Sequence, residues 1–219
     1  MEKTQVLVIH GGTSFTHNED FYEFLENYNI DFSYESGKDW KANLHEDLEE
    51  NFEVIRPTMP NKMRADYHAW KIWFEKYVGH LSSKKIILIG HSLGGIFLAK
   101  YLSENNMLDE LKKSSLAHHS SHDVPQEIYG LYLVAAVFDY GVDKALGNFR
   151  LDLEKLSNVS KQCSQIYLYH SKDDPVVPFN HSREYLSRLE GSELIALEHK
   201  GHINQEHFEE LVKRIRNSN

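Results

Sequence analysis

A serine at the centre of GHSLGG, residues 90–95, is the first candidate for chemistry in this 219-residue chain. The letters fix only Gly90, Ser92 and Gly94, and a tight turn with no chemistry satisfies them equally well. A serine hydroxyl at its ordinary pKa is a weak nucleophile, so a reactive Ser92 needs a base and a third group that orients the base. Among the 14 histidines, His202 is set apart by position. It follows Gly201 in EHKGHINQ, after the last apolar run and before the final helical pattern, where a loop could carry an imidazole toward Ser92. His199 belongs to the end of that run and His207 to the helix, which makes them its rivals. The orienting acid is sought after QIYLYH, where SKDDPVVP offers Asp173 and Asp174. Pro175 stiffens the turn behind Asp174, whereas Asp173 is placed to cap that turn. Asp174 is therefore the expected partner, with Asp173 and, one strand earlier, Asp139 as alternatives.

These side chains can meet only if the chain brings their segments to one edge of a sheet. Apolar runs rich in Val, Ile, Leu and Tyr recur at 5–10, 52–55, 85–90, 131–138, 165–170 and 193–197. Most lack polar alternation, which is how a strand buried on both faces reads, and helical patterns lie between them. The pattern predicts an α/β fold with a parallel sheet covered on both sides. Tyr67, Trp70, Phe74, Tyr77 and Leu81 recur at three- and four-residue steps, the stripe of a helix packed on a sheet. Thr16 and Glu19 have capping-box spacing before DFYEFLENY, and a second acidic helix is expected over DWKANLHEDLEEN. Pro178 precedes a helix over FNHSREYLSRLE, Gly191 follows it, and a last helix is expected over NQEHFEELVKRIRNS. No repeat, low-complexity tract or long linker divides the chain, so one domain over residues 1–219 is expected.

Placed in this frame, Ser92 stands at a strand-to-helix corner on the carboxyl edge of the sheet, where open α/β sheets bind ligands. Glycines two residues either side let strand and helix pass close to one another. The amide of Leu93, at the helix N-terminus, is one expected oxyanion donor. The second should come from HGGTS after the first strand, through the Gly12 or the Thr13 amide, while His10 is expected to hold that loop by hydrogen bonding. The chain order Ser92, Asp174, His202 is the α/β-hydrolase order and differs from that of chymotrypsin or subtilisin.

HGG after the first strand, GHSLGG, SKDDPVVP and KGH together resemble the α/β-hydrolase fold. The size resembles the compact serine hydrolase family that includes the retinoblastoma-binding serine hydrolase and its bacterial relatives. The resemblance spans nearly the whole chain. It implies a three-layer fold with a reduced, mostly parallel sheet of about six strands that lacks the early antiparallel pair. It also implies Ser92, Asp174 and His202 as a catalytic triad. One departure is the stretch from Ser14 to Asn51, longer and more acidic than a compact member needs, so access to the site does not carry over.

Composition narrows the partners. A formal net charge of −9 with no basic stripe argues against nucleic acid. No apolar run approaches the roughly 20 residues of a membrane span. The N-terminus has no basic region or cleavage site and Cys163 is the only cysteine, so a cytoplasmic location is expected. His118, His119, His122 and Asp123 form a cluster that could hold a metal, but they lie in a polar connection and the chemistry above needs none. No metal or cofactor is expected, and Cys163 is expected to be an inert thiol. The acidic residues from Glu19 to Glu53, opposed only by Lys38 and Lys41, are expected to form a solvated face. If that face borders the pocket mouth, it would disfavour anionic substrates. Phe15, Phe97, Phe138 and Phe179 are candidates for an apolar pocket or for the core. The residues point to hydrolysis of a small-molecule carboxylic ester or related acyl substrate. Acyl transfer or a lyase reaction on the same fold, and protein binding on a hydrolase scaffold, stay open.

Overall fold

The computed structural model describes residues 3–30, 39–117, 127–139 and 146–217. Six strands form one sheet: β1 (Thr4–Ile9), β2 (Phe52–Ile55), β3 (Lys85–His91), β4 (Glu127–Val134), β5 (Ile166–Ser171) and β6 (Ser192–Leu197). Their order is β2-β1-β3-β4-β5-β6, and every pairing is parallel. The order reverses between β1 and β3, and a crevice for a ligand opens at the carboxyl ends of the strands at such a reversal.

Helices cover both faces. Alternate residues of the central strands supply the two cores: Leu7, Ile9 and Leu88 face one side, while Val6, Val8, Ile87 and Ile89 face the other. On the first side pack α3 (Tyr67–Val78), α4 (Leu93–Glu104), α5 (Met107–Ala117), α6 (Ser157–Ser160) and α7 (Asn180–Arg188). The predicted aromatic stripe is part of this layer, with Tyr67, Trp70 and Phe74 buried and Leu81 buried just beyond the helix. On the second side lie α2 (Trp40–Leu48) and α8 (Glu209–Arg216), which bury Trp40, Leu44, Leu211 and Ile215. The remaining helix, α1 (Asn18–Glu26), buries no residue.

Several boundaries differ from the sequence reading. The fourth strand begins at Glu127 and ends at Val134, four residues earlier than LYLVAAVF suggested. Gly130 lies inside the strand, while Ala135 adopts φ 45° and ends it. The Thr16 and Glu19 capping box is not used at the start of α1, where the N-cap is His17 and its side chain makes no capping bond. The last helix starts at Glu209, not at Asn204, because residues 203–206 are held in a loop that α2 grips. There the Trp40 amide donates to the Gln205 carbonyl at 2.7 Å, and its indole N–H to the Ile203 carbonyl at 2.8 Å. The 118–123 histidine cluster lies outside the described residues. Among the described residues no helix is long and apolar enough to cross a membrane.

Candidate active site

Ser92 connects β3 to α4 with φ 55° and ψ −119°, a conformation that L-residues rarely adopt and that costs on the order of 1–3 kcal/mol. The corner is held from several directions. The Ser92 amide donates to the Val134 carbonyl at 2.9 Å, and its carbonyl accepts from the Gly95 amide at 3.0 Å. A Cβ on Gly94 would stand 2.3 Å from the Ile9 carbonyl oxygen, and one on Gly90 would stand 2.5 Å from the Gly94 carbonyl oxygen. Both positions must therefore be glycine if the strand, the helix and the end of β1 are to meet here.

The loop after β1 approaches the same corner. A Cβ on Gly12 would lie 2.6 Å from the Lys62 carbonyl oxygen and 3.5 Å from Leu93 Cδ2, so this loop and the start of α4 touch. The Thr13 amide donates to the Lys62 carbonyl at 2.8 Å, which removes it from the two oxyanion donors considered and leaves Gly12. His10 holds the loop as expected: Nδ1–H donates to the Gly11 carbonyl at 2.6 Å, and Nε2 accepts from the Met59 amide at 2.9 Å. Burial lowers the pKa of His10, and both ring nitrogens already have partners.

His202 and Asp174 are joined directly. His202 Nδ1 lies 2.9 and 3.1 Å from the two carboxylate oxygens of Asp174, whose side chain is fully buried while that of His202 is 12% exposed. Asp174 Oδ1 also accepts the Val176 and Val177 amides at 2.8 and 2.9 Å, and Oδ2 lies 3.3 Å from His170 Nε2. Burial alone would push this carboxyl up. The hydrogen bonds from His170, His202 and the two amides outweigh it and hold the carboxyl well below the usual carboxylate range. Asp174 is therefore a charged group, and it fixes His202 with a proton on Nδ1 and Nε2 turned away from the carboxylate.

The rivals are committed elsewhere. Asp173 is exposed and accepts from the Ser171 hydroxyl and, at 3.3 Å, from the Gly201 amide, so it pins the loop before His202. Asp139 accepts the Leu151 amide at 2.9 Å and pairs with Arg150 at 3.6 Å. His199 is exposed with φ 57°, and His207 pairs with Asp47 at 3.1 Å on the surface. Burial pushes the Cys163 thiol up to about 12, as suits an unreactive position.

Ser92 and His202 line one cavity of about 610 Å³, together with His10, Gly11, Gly12, Asp39, Lys41, Arg56, Lys62 and His91. None of Phe15, Phe97, Phe138 and Phe179 is among its lining residues. Phe97 and Phe138 are core residues, Phe15 packs on Phe21 and Phe24, and Phe179 packs on His170. Of the described acidic residues from Glu19 to Glu53, only Asp39 lines this cavity, and it pairs with Lys41 at 2.9 Å. α2 turns Asp47 toward His207, and Glu49 beyond its end pairs with Arg216 of α8, while the start of the helix brings Lys41 to the cavity.

Two buried histidines were absent from the sequence reading. His91 donates Nε2–H to the His202 carbonyl at 2.9 Å, and the two rings lie 4.9 Å apart. Burial, then the charges of Lys41 and His202, hold the His91 pKa well below its ordinary value, so His91 is neutral. His170 donates Nε2–H to the Val177 carbonyl at 2.8 Å as well as facing Asp174, and its Nδ1 accepts from the Ser182 hydroxyl. Its signal in the sequence was its position, four residues before Asp174 at the end of an apolar strand.

The family model described as serine hydrolase matches residues 32–212. The chain belongs to the serine hydrolase family. This serine hydrolase is similar to serine hydrolase RBBP9 of Rattus norvegicus, with 25% identity over 182 residues that cover 81% of this chain and 84% of the relative. Among solved structures it is similar to the ydeN gene product of B. subtilis, with a TM-score of 0.62 and 16% identity over 99% of this chain and 98% of that one. It is also similar to Est1E from Butyrivibrio proteoclasticus, with a TM-score of 0.59 and 14% identity over 99% of this chain and 86% of that one. The structural matches establish the α/β-hydrolase fold, with six strands in its sheet among the described residues.

Proposed function

We propose that this serine hydrolase is a one-domain cytoplasmic enzyme that cleaves a carboxylic ester or related acyl substrate through Ser92, His202 and Asp174. The observation that carries this reading is the His202 contact to a buried, charged Asp174, with Ser92 at a strained corner of the same cavity.

The geometry supports the following steps. Asp174 occupies His202 Nδ1, so Nε2 is the nitrogen that takes the Ser92 proton as Oγ attacks the substrate carbonyl. Charge then develops on the carbonyl oxygen. The Leu93 amide at the start of α4 and the Gly12 amide are donors fixed before the reaction starts, which is where such donors gain most. His202 returns its proton to the leaving alcohol, and the Ser92 acyl ester forms as the old ester bond breaks. Water, deprotonated by His202, attacks the acyl-enzyme and restores Ser92 with release of the acid. No step calls for a metal or a cofactor.

A fluorophosphonate probe tests this reading. Wild type should be labelled at Ser92, and Ser92→Ala should lose both labelling and hydrolysis of 4-nitrophenyl esters by at least about 10³-fold. A folded wild type that takes no label, or a Ser92→Ala variant that hydrolyses esters normally, would refute it. An ester panel of graded acyl length then ranks substrates.

A further inference from the structure

We propose that the substrate carries an anionic group separate from its scissile carbonyl, and that Arg56 and Lys62 receive that group at the mouth of the Ser92 cavity. The inference rests on the hydrolase reading above.

Among the described residues, the ionised side chains that line the cavity apart from its histidines are Asp39, Lys41, Arg56 and Lys62. The one carboxylate is committed. Asp39 Oδ1 caps α2 by accepting the Lys41 and Ala42 amides at 3.0 and 3.2 Å, and Oδ2 pairs with Lys41 Nζ at 2.9 Å. That pair is internally balanced and largely buried, since the Lys41 side chain is 10% exposed. Arg56 and Lys62 remain. Both are exposed, and neither has an ion-pair partner among the described residues.

Their backbones are anchored even though their side chains reach into solvent. Arg56 directly follows β2 at the carboxyl edge of the sheet, and the Lys62 carbonyl accepts the Thr13 amide beside Gly12. Two cations on one cavity wall with no ion-pair partner among the described residues are unusual in a chain with a formal net charge of −9. A concave site lined by one sign of charge concentrates ligands of the opposite sign. The charge of Lys62 reaches inward: after burial, it is among the causes that lower the His10 pKa.

The test compares three 4-nitrophenyl esters of matched length: the monoester of glutaric acid, its neutral methyl ester, and the analogue with a phosphonate in place of the free carboxylate. Wild type at low ionic strength should favour at least one anionic ester in kcat/KM by roughly tenfold, with most of the preference lost near about 0.5 M salt. In Arg56→Glu/Lys62→Glu the preference should invert. The salt dependence of the wild type reads the effect without any variant. Cleavage of all three esters with no anionic preference, or a preference unchanged by salt and by charge reversal, would overturn the inference while leaving the hydrolase reading intact. Cleavage of none, with no fluorophosphonate labelling, would remove the hydrolase reading and this inference with it.

Discussion

On the β5 and β6 side of the cavity, Asp174 accepts hydrogen bonds from two histidines and two backbone amides, and Asp173 and Ser171 tie down the loop that carries His202. On the β1 and β2 side, Arg56 and Lys62 reach into solvent without a carboxylate partner among the described residues. The first wall is over-determined: Asp174, which holds the proposed base, is itself fixed by His170 and by the Val176 and Val177 amides. The second wall has cations with no carboxylate partner among the described residues. Proton transfer needs fixed geometry, because a misplacement of about 1 Å can cost two orders of magnitude in rate. Recognition of a charged group in a wide mouth tolerates flexible side chains, because the attraction falls slowly with distance. On the proposed reading the two walls divide the work, one holding the chemistry and the other the choice of substrate.

The largest effect that would break this division lies within two adjacent residues. Asp174→Asn keeps the shape but removes the charge and favours the wrong His202 tautomer, so kcat should fall by about 10³- to 10⁴-fold. Asp173→Asn, which alters only the loop tether, should cost less than about tenfold. Steady-state kinetics on one neutral ester decide it, and a larger loss in Asp173→Asn than in Asp174→Asn would show that Asp173 is the orienting acid. A smaller effect is expected at His170, a positioning residue that acts through Asp174. His170→Phe should lower kcat by roughly tenfold with KM little changed, and His170→Gln, which retains an N–H donor, should recover part of the loss. An unrecovered loss that tracks thermal stability in both variants would reduce His170 to a core residue.

The legibility of the molecule follows the same line. All six strands could be read because buried parallel strands appear as continuous apolar runs, and five of them matched to within about a residue at each end. The fourth strand was misplaced because Ala135 and Ala136 fall within the apolar run at 131–138, while the positive φ at Ala135 leaves no mark in its letter. Ser92, Asp174 and His202 could be singled out as candidates because each follows a strand and sits in a turn with its own chemistry. His170 and His91 could not be given partners, since a histidine inside an apolar run reads the same whether it faces a carboxylate, a carbonyl or only other apolar groups. The cations of the second wall were illegible for another reason. Lys41, Arg56 and Lys62 come from three segments, and the acidic letters around Lys41 suggested the opposite sign until α2 turned those acids toward α8.

The smallest effect sharpens the contrast without any measurement of activity. Hydrogen bonds hold the Asp174 carboxyl well below its ordinary value in the folded chain, whereas in the unfolded chain it returns to about 3.9. A carboxyl lowered by folding contributes stability that is fully present above the unfolded value, and the contribution is lost as pH falls through the folded one. Wild type should therefore show no loss of urea midpoint from this group between about pH 5 and 8, and a progressive loss below about pH 4. In Asp174→Asn the group no longer titrates, so the acid limb should be shallower although the variant is less stable at neutral pH. Arg56→Gln/Lys62→Gln on the opposite wall alters only exposed side chains and should leave the shape of the acid limb unchanged. If the acid limb stayed as steep in Asp174→Asn as in wild type, the charge at Asp174 would not be coupled to folding, and the contrast between the two walls would have to rest on kinetics alone.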